Sequence, residues 1–334
     1  MNSLRIGIIG AGAIVESNHL PALSAVTGVT VAWIYDKNPV RAQLLSRMYG
    51  IPDRQLSSTE EGLKEIDACL LATPYGVRKP YIEQCRSLGK GLIVEKPFAF
   101  SVNEHQDICR GFKEWEIAVN FQRRFYGSVA VLAKIIRSRI FGELRSIRFM
   151  QGYFTLKGGT GYLSNAQLAG GGVIAESASH ILDIILYITG ADKVVMKKSG
   201  SLFKSGIDFD SLFESELTVG ERTIDVRCEI STLRNLDNGL VLEFEQTSVS
   251  CDLSPDAKLY LRKSNNNPIE FTLDNEPVSG ESSIAAQKVN QAFLIFWQQY
   301  ALAYQQQQPN ATSACGSLLT SAWLEEIYKK IRIS

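Results

Sequence analysis

Three groups of residues have types and spacings that could do chemistry. The first lies in Leu4-Arg5-Ile6-Gly7-Ile8-Ile9-Gly10-Ala11-Gly12-Ala13-Ile14-Val15, an apolar run that breaks into a glycine turn and continues as a helix. Gly10 permits the turn. Gly12 removes the side chain that would keep a pyrophosphate from the first N–H groups of that helix, around Ala13 and Ile14. Glycine turns after strands are common in other α/β proteins, so a second signal is needed. Asp36 supplies it, closing the β-branched and aromatic run 29–35 at about the 20-residue spacing at which a carboxylate meets a ribose 2′-hydroxyl. Such a carboxylate repels a 2′-phosphate, which favours NAD over NADP, and the neighbouring Lys37 softens that preference.

The second group is Glu95-Lys96-Pro97, directly after the apolar run 91–94. A lysine fixed by a following proline at the carboxyl end of a parallel strand is unusual in a core element, although Glu-Lys at a strand end also reads as a surface charge pair. The third is Glu176, His180 and Asp183, spaced four and three residues apart so that all three can lie near one face of an Ile- and Leu-rich helix. A buried polar face there is expensive unless its groups are paired or used.

The elements that must hold these groups follow from periodicity. Runs at 4–9, 29–35, 66–73, 91–94 and 117–121, with a brief one near 54–56, alternate with helical patterns and predict six strands of a doubly wound parallel sheet. The loop Thr73-Pro74-Tyr75-Gly76 then sits at a strand's carboxyl end, where ligands of open α/β sheets bind. Past a helix at 128–139 the pattern alternates instead. Residues 223–230 place Ile, Val, Cys and Ile on one face, and 147–153, 209–219, 240–245 and 249–253 repeat this. They predict a mostly antiparallel sheet with one packed face and one open to water or a partner subunit. Gly170-Gly171-Gly172 precedes a helix at 173–188 that Gly190 ends, and helices at 284–304 and 313–331 close the chain. The expected division is a nucleotide-binding domain at 1–121 and a substrate-binding and oligomerisation α+β domain at 122–334.

A length of 334 residues favours two domains. Lys and Arg total 35, as do Asp and Glu, which leaves no net charge to attract nucleic acid or a membrane surface. No secretory pattern opens the chain and no apolar run reaches membrane-spanning length, so a cytoplasmic protein is expected. Six scattered cysteines without CxxC spacing read as reduced thiols, and no metal site is expected.

Taken together in order, the Gly10/Gly12 fingerprint, His19-Leu20-Pro21-Ala22-Leu23, Asp36, Thr73-Pro74, Glu95-Lys96-Pro97, Phe121-Gln122-Arg123-Arg124-Phe125, and the triple glycine leading to His180 and Asp183 resemble the Gfo/Idh/MocA family of pyridine-nucleotide oxidoreductases. The resemblance implies a Rossmann domain joined to an open-faced sheet domain. It also implies NAD or NADP as cofactor, a homodimer or homotetramer, and oxidation of a secondary alcohol or reduction of a ketone on a sugar, inositol or nucleotide sugar. Carried over, the catalytic group is Lys96, Glu176 and His180. Thr73, Pro74, Glu95 and Lys96 approach the nicotinamide and its ribose, and Gln122, Arg123 and Tyr162 join Glu176 and His180 around substrate. His19 and His105 are expected to be structural, as is Arg124. The sequence departs from the family pattern at Glu176, where aspartate is usual, at Tyr75 and Arg78 in place of asparagine and histidine, and at Leu163 in place of arginine. The same fold also hosts NAD-dependent glycosidases that oxidise transiently, and non-catalytic nucleotide sensors.

Overall fold

Five short apolar runs build the first sheet of the computed structural model, which describes residues 3–54, 56, 58–155, 161–255, 258–262, 269–271 and 289–333. Strands β1 (Leu4–Ile9), β2 (Val29–Tyr35), β3 (Ala68–Leu71), β4 (Gly91–Val94) and β5 (Ile117–Val119) pair in parallel in the order β2-β1-β3-β4-β5. Every residue of β3, β4 and β5 is buried, as in sheets covered on both faces. The sheet has five strands, not the expected six. Around 54–56 the hydrogen bonds are local, from Arg54 N–H to the Pro52 carbonyl and from Leu56 N–H to the Arg54 carbonyl, and residue 55 lies outside the described residues. Strand order reverses between β1 and β3, so their carboxyl ends flank the crevice in which open α/β sheets bind ligands.

The chain divides into two compact units. One holds Met1–Phe98, Asn103–Gln122 and the C-terminal stretch ending at Ser317; the other holds Ala99–Val102, the segment beginning at Arg123, and Leu318–Ser334. A single domain running from 122 to 334 is therefore corrected at its far end. Helix Gln291–Gln306 belongs to the first unit, where Trp297 and Tyr300 are buried, the Tyr300 hydroxyl donates to the Glu116 carbonyl (3.1 Å) and that of Tyr304 to the Asp67 carbonyl (3.1 Å). Of the helix expected at 284–304, residues 284–288 lie outside the described residues.

In the second unit, β6 (Leu144–Gly152), β7 (Lys193–Lys204), β8 (Ile207–Val219), β9 (Arg222–Ser231), β10 (Gly239–Phe244), β11 (Ser248–Cys251), β12 (Leu259–Arg262) and β13 (Ile269–Phe271) form one sheet. Its order is β13-β12-β11-β10-β6-β9-β8-β7. Only β6 and β9 run parallel among the described pairs. The alternation in β9 is realised: Ile224, Val226, Cys228 and Ile230 are buried, while Thr223, Asp225 and Arg227 are exposed. Helix Leu318–Ile333 packs on β7 and on helix Ser179–Thr189, with the buried Trp323 indole donating to Ser215 Oγ (2.9 Å). The stretch Ala166–Thr189 is long and apolar enough to span a bilayer, with mean hydropathy 1.3, but 72% of that window is buried inside the fold, which makes it a core element. All six cysteines are free thiols.

Candidate active site

Glycine is required at position 10 on two grounds. Its φ is +107°, and a Cβ there would lie 2.5 Å from the Ala72 carbonyl oxygen at the end of β3. Gly12 is different: it is exposed, and a Cβ would meet none of the described residues within 4 Å. That open space lies at the start of a helix, whose first N–H groups have no intrahelical partner. The helix opens with a wide π-turn, Val15–His19, and Val15, at the usual third-glycine position, is fully buried. Asp36, past the end of β2, accepts the Ala11 N–H on Oδ2 (2.7 Å) and the Asn38 N–H on Oδ1 (2.8 Å). The carboxylate is thus fixed against the glycine loop, and each oxygen keeps lone-pair capacity for a ribose hydroxyl. Lys37 is exposed. Arg41, which sequence reasoning did not single out, donates Nε to the Ala11 carbonyl (3.1 Å) and pairs with Glu16, so the cation beside this loop is already engaged.

The ends of β3, β4 and β5 carry the second cluster. Arg78, which is buried, donates Nε to the Thr73 carbonyl (3.0 Å) and Nη1 to the carbonyls of Glu95 and Pro97 (both 2.6 Å). It therefore ties down the backbone on both sides of the half-buried Lys96 and joins that segment to the Thr73-Pro74 loop. Glu95 is buried and accepts from Asn120 Nδ2 (2.6 Å) on the same oxygen that meets His19 Nε2 (2.8 Å). Burial pushes its carboxyl up, but the His19 hydrogen bond, Lys96 and Asn120 together hold it below its ordinary value. Among the described residues Thr73 Oγ1, Asn120 Oδ1 and Gln122 Oε1 are buried oxygens without a hydrogen-bond partner, a cost that a bound carboxamide or ribose would relieve. The open cradle at Gly12, the fixed Asp36 carboxylate and these oxygens fit a nicotinamide dinucleotide.

In the second unit the triple glycine is a packing device. Gly170 caps helix Ala166–Ala169 at φ +79°. A Cβ on Gly171 would strike the Tyr328 hydroxyl, and one on Gly172 the backbone of Asp208. Asp208, fully buried on β8, accepts the N–H groups of Gly172 on Oδ1 and Ile174 on Oδ2 (2.7 Å each), and Tyr328 donates to it (3.1 Å). These two residues cap the helix that carries the candidate catalytic pair, and nothing local in sequence marks them. That helix begins with a second π-turn, Ile174–Ala178. Its hydrogen bonds span five residues, which offsets Glu176 from the row that His180 and Asp183 share. Glu176 is accordingly exposed, while His180 and Asp183 are buried.

Asp183 is engaged by Arg124 through two bonds, Nε to Oδ2 (2.8 Å) and Nη2 to Oδ1 (2.5 Å). Burial pushes the Asp183 carboxyl up, and the Arg124 guanidinium opposes it. Arg124 also lies over the Tyr187 ring, 5.2 Å from its centroid. Gln122 ends the first unit, buried, and Arg123 begins the second, half-buried. Tyr162 is exposed on the turn Gly161–Ser164. Among the described residues no three His, Cys, Asp or Glu side chains gather as a metal site requires.

Residues 4–121 match the model of the Gfo/Idh/MocA oxidoreductase family, described as an NAD-binding Rossmann fold. The match is to this family's nucleotide-binding part, and all of it but Ala99–Val102 lies within the first unit. Its sequence is 26% identical over 201 residues to dTDP-3,4-didehydro-2,6-dideoxy-alpha-D-glucose 3-reductase from Streptomyces antibioticus, covering 57% of this chain and 58% of the relative. It is 29% identical over 199 residues to inositol 2-dehydrogenase from Pseudarthrobacter chlorophenolicus, covering 57% and 55%. The matched segments thus span little more than half the length of these relatives. The fold is similar over nearly the full length to an aldose-aldose oxidoreductase from Caulobacter crescentus solved with glycerol, with a TM-score of 0.83, 17% identity, and coverage of 99% and 98%.

Proposed function

We propose that the chain is an NAD-dependent oxidoreductase that interconverts a secondary alcohol and a ketone on a sugar, inositol or nucleotide sugar. The observation that carries this is the anchored Lys96 at the end of β4, in the same parallel sheet whose β1 and β2 ends bear the open glycine loop and the fixed Asp36. The nicotinamide supplies hydride acceptance or donation when bound. Alcohol oxidation requires the hydroxyl proton to leave, and His180 takes it. Lys96, as a cation, stabilises the developing alkoxide. Glu176 binds a neighbouring hydroxyl, and Gln122, Arg123 and Tyr162 hold the rest of the substrate. Asp36 selects NAD, because it faces the ribose and Arg41 is committed to Glu16 and Ala11.

The test follows nicotinamide absorbance against a panel of sugars, inositols and nucleotide sugars, then repeats it with Lys96→Ala, His180→Ala and the double variant. Each single variant is expected to lower turnover at least about a hundredfold, with little change in nucleotide affinity. The double variant should fall by less than the product, because both act on one substrate oxygen. Unchanged turnover in both singles removes the proposed site, and tightly retained NAD with no net redox across the panel turns the search to glycoside cleavage.

The open face of the eight-stranded sheet is proposed as the surface of a homo-oligomer. It carries interleaved charges of both signs, including the pairs Arg227–Glu214, Arg234–Asp210 and Lys197–Glu216. Light scattering at micromolar concentration should give a dimer or tetramer mass; a monomer mass rejects the assembly. Six free thiols fit a reducing compartment such as the cytoplasm.

A further inference from the structure

His19 is fully buried beneath the nucleotide sheet, yet it is not merely a packed ring. The Trp297 indole donates to its Nδ1 (3.1 Å), and an indole N–H can only donate. Nδ1 is therefore the acceptor nitrogen, and the proton sits on Nε2, which meets Glu95 Oε1 at 2.8 Å. The ring's orientation is set by edge contacts with Phe293 and Trp297 from the same helix, with centroids at 5.0 and 5.7 Å. Among the described residues the polar and charged groups around Glu95 act in one direction: His19 and Asn120 donate to its carboxylate, Lys96 is its cationic neighbour in sequence, and Arg78 donates to its backbone carbonyl.

We propose that His19 is a positioning residue: locked by Trp297 as the Nε2–H tautomer, it holds the Glu95 carboxylate fixed beside Lys96 at the end of β4. The Lys96 part rests on the function proposed above. Without this donor Glu95 would be a buried carboxylate short of one hydrogen bond, and it would take up a proton at a higher pH. Lys96 would then lose the fixed negative charge of its neighbour.

Two measurements test this. The chain has three histidines, so selective ¹⁵N labelling of their rings, with assignment through His105→Gln and His180→Gln, reads the His19 tautomer directly in the cofactor-free protein. The Nε2–H form is expected at neutral pH, and its dominance should weaken in Trp297→Phe; an Nδ1–H form overturns the proposal. The second measurement is the pH profile of turnover on the sugar or inositol that the absorbance panel identifies. His19→Leu should lower turnover about tenfold and move the acid limb upward by about one pH unit, and His19→Gln, which can accept from the indole and donate to Glu95, should restore it. Trp297→Phe should shift the limb in the same direction by less, which keeps the test decisive if His19→Leu does not fold. A structural role alone would scale the profile without moving the limb, and that result rejects the inference. Lys96→Ala separates the two proposals: wild-type turnover there removes the site itself, whereas an inactive Lys96→Ala with an unmoved limb in the His19 and Trp297 variants removes only the positioning role.

Discussion

Two helices in this chain start after glycines and open with a π-turn, and they put the same device to opposite uses. At Gly10–Gly12 a Cβ on Gly12 would meet none of the described residues within 4 Å, and the Asp36 carboxylate takes one N–H of the loop, that of Ala11, besides the Asn38 N–H. At Gly170–Gly172 the protein has filled the space itself. The Tyr328 hydroxyl and the Asp208 backbone occupy the volume that side chains would need, and the Asp208 carboxylate accepts the N–H groups of Gly172 and Ile174. The second helix end already holds an internal carboxylate; at the first, the proposed function places the cofactor's pyrophosphate. Glycines before a helix therefore indicate close approach, and only the packing tells whether the approaching group is ligand or protein.

The comparison can be broken most forcefully at position 172. Gly172→Ala should destabilise the protein by about 3 kcal/mol, since the clash is with backbone that cannot rotate away. Urea denaturation measures it, and an unshifted midpoint would mean that the second loop is as open as the first. Gly12→Ala should do the reverse. Its denaturation midpoint should stay within experimental scatter, while NAD binding by calorimetry weakens about tenfold, or about 1.4 kcal/mol. A fall in stability without a fall in affinity would make Gly12 a packing residue too. The smallest effect is expected for Asp36→Ser, which relieves one like-charge contact and should shift preference toward NADP by about 1 kcal/mol, roughly fivefold. No shift in the ratio of affinities would mean that another group reads the ribose.

Much of the first unit was legible from its residues. A strand, a turn of positive φ and a carboxylate at the end of the next strand are local features, and the strands at 29–35 and 91–94 have the expected limits. The alternation in β9 fixed a sheet with one buried face before any neighbour was known. Less of the candidate site could be read. The spacing of Glu176, His180 and Asp183 suggested one shared face, but a π-turn displaced Glu176, and Arg124 engaged Asp183. Arg78 stood out only as a departure from a pattern; that it grips the backbone around Lys96 depends on three carbonyls converging from two strand ends.

By itself the sequence determined what neighbours along the chain can enforce: the glycine turn, strand periodicity, the stop at Gly190, and the order of a nucleotide sheet before an open-faced one. Only the tertiary structure decided that helix Gln291–Gln306 returns to the first unit, that Trp297 sets the tautomer of His19 from 278 residues away, and that Asp208 caps the helix of His180. The physical reason is range. Turns, caps and amphipathic faces are chosen by backbone sterics and hydrogen bonds within a few residues, whereas a buried donor or acceptor finds its partner through packing, which leaves no periodic trace in the sequence.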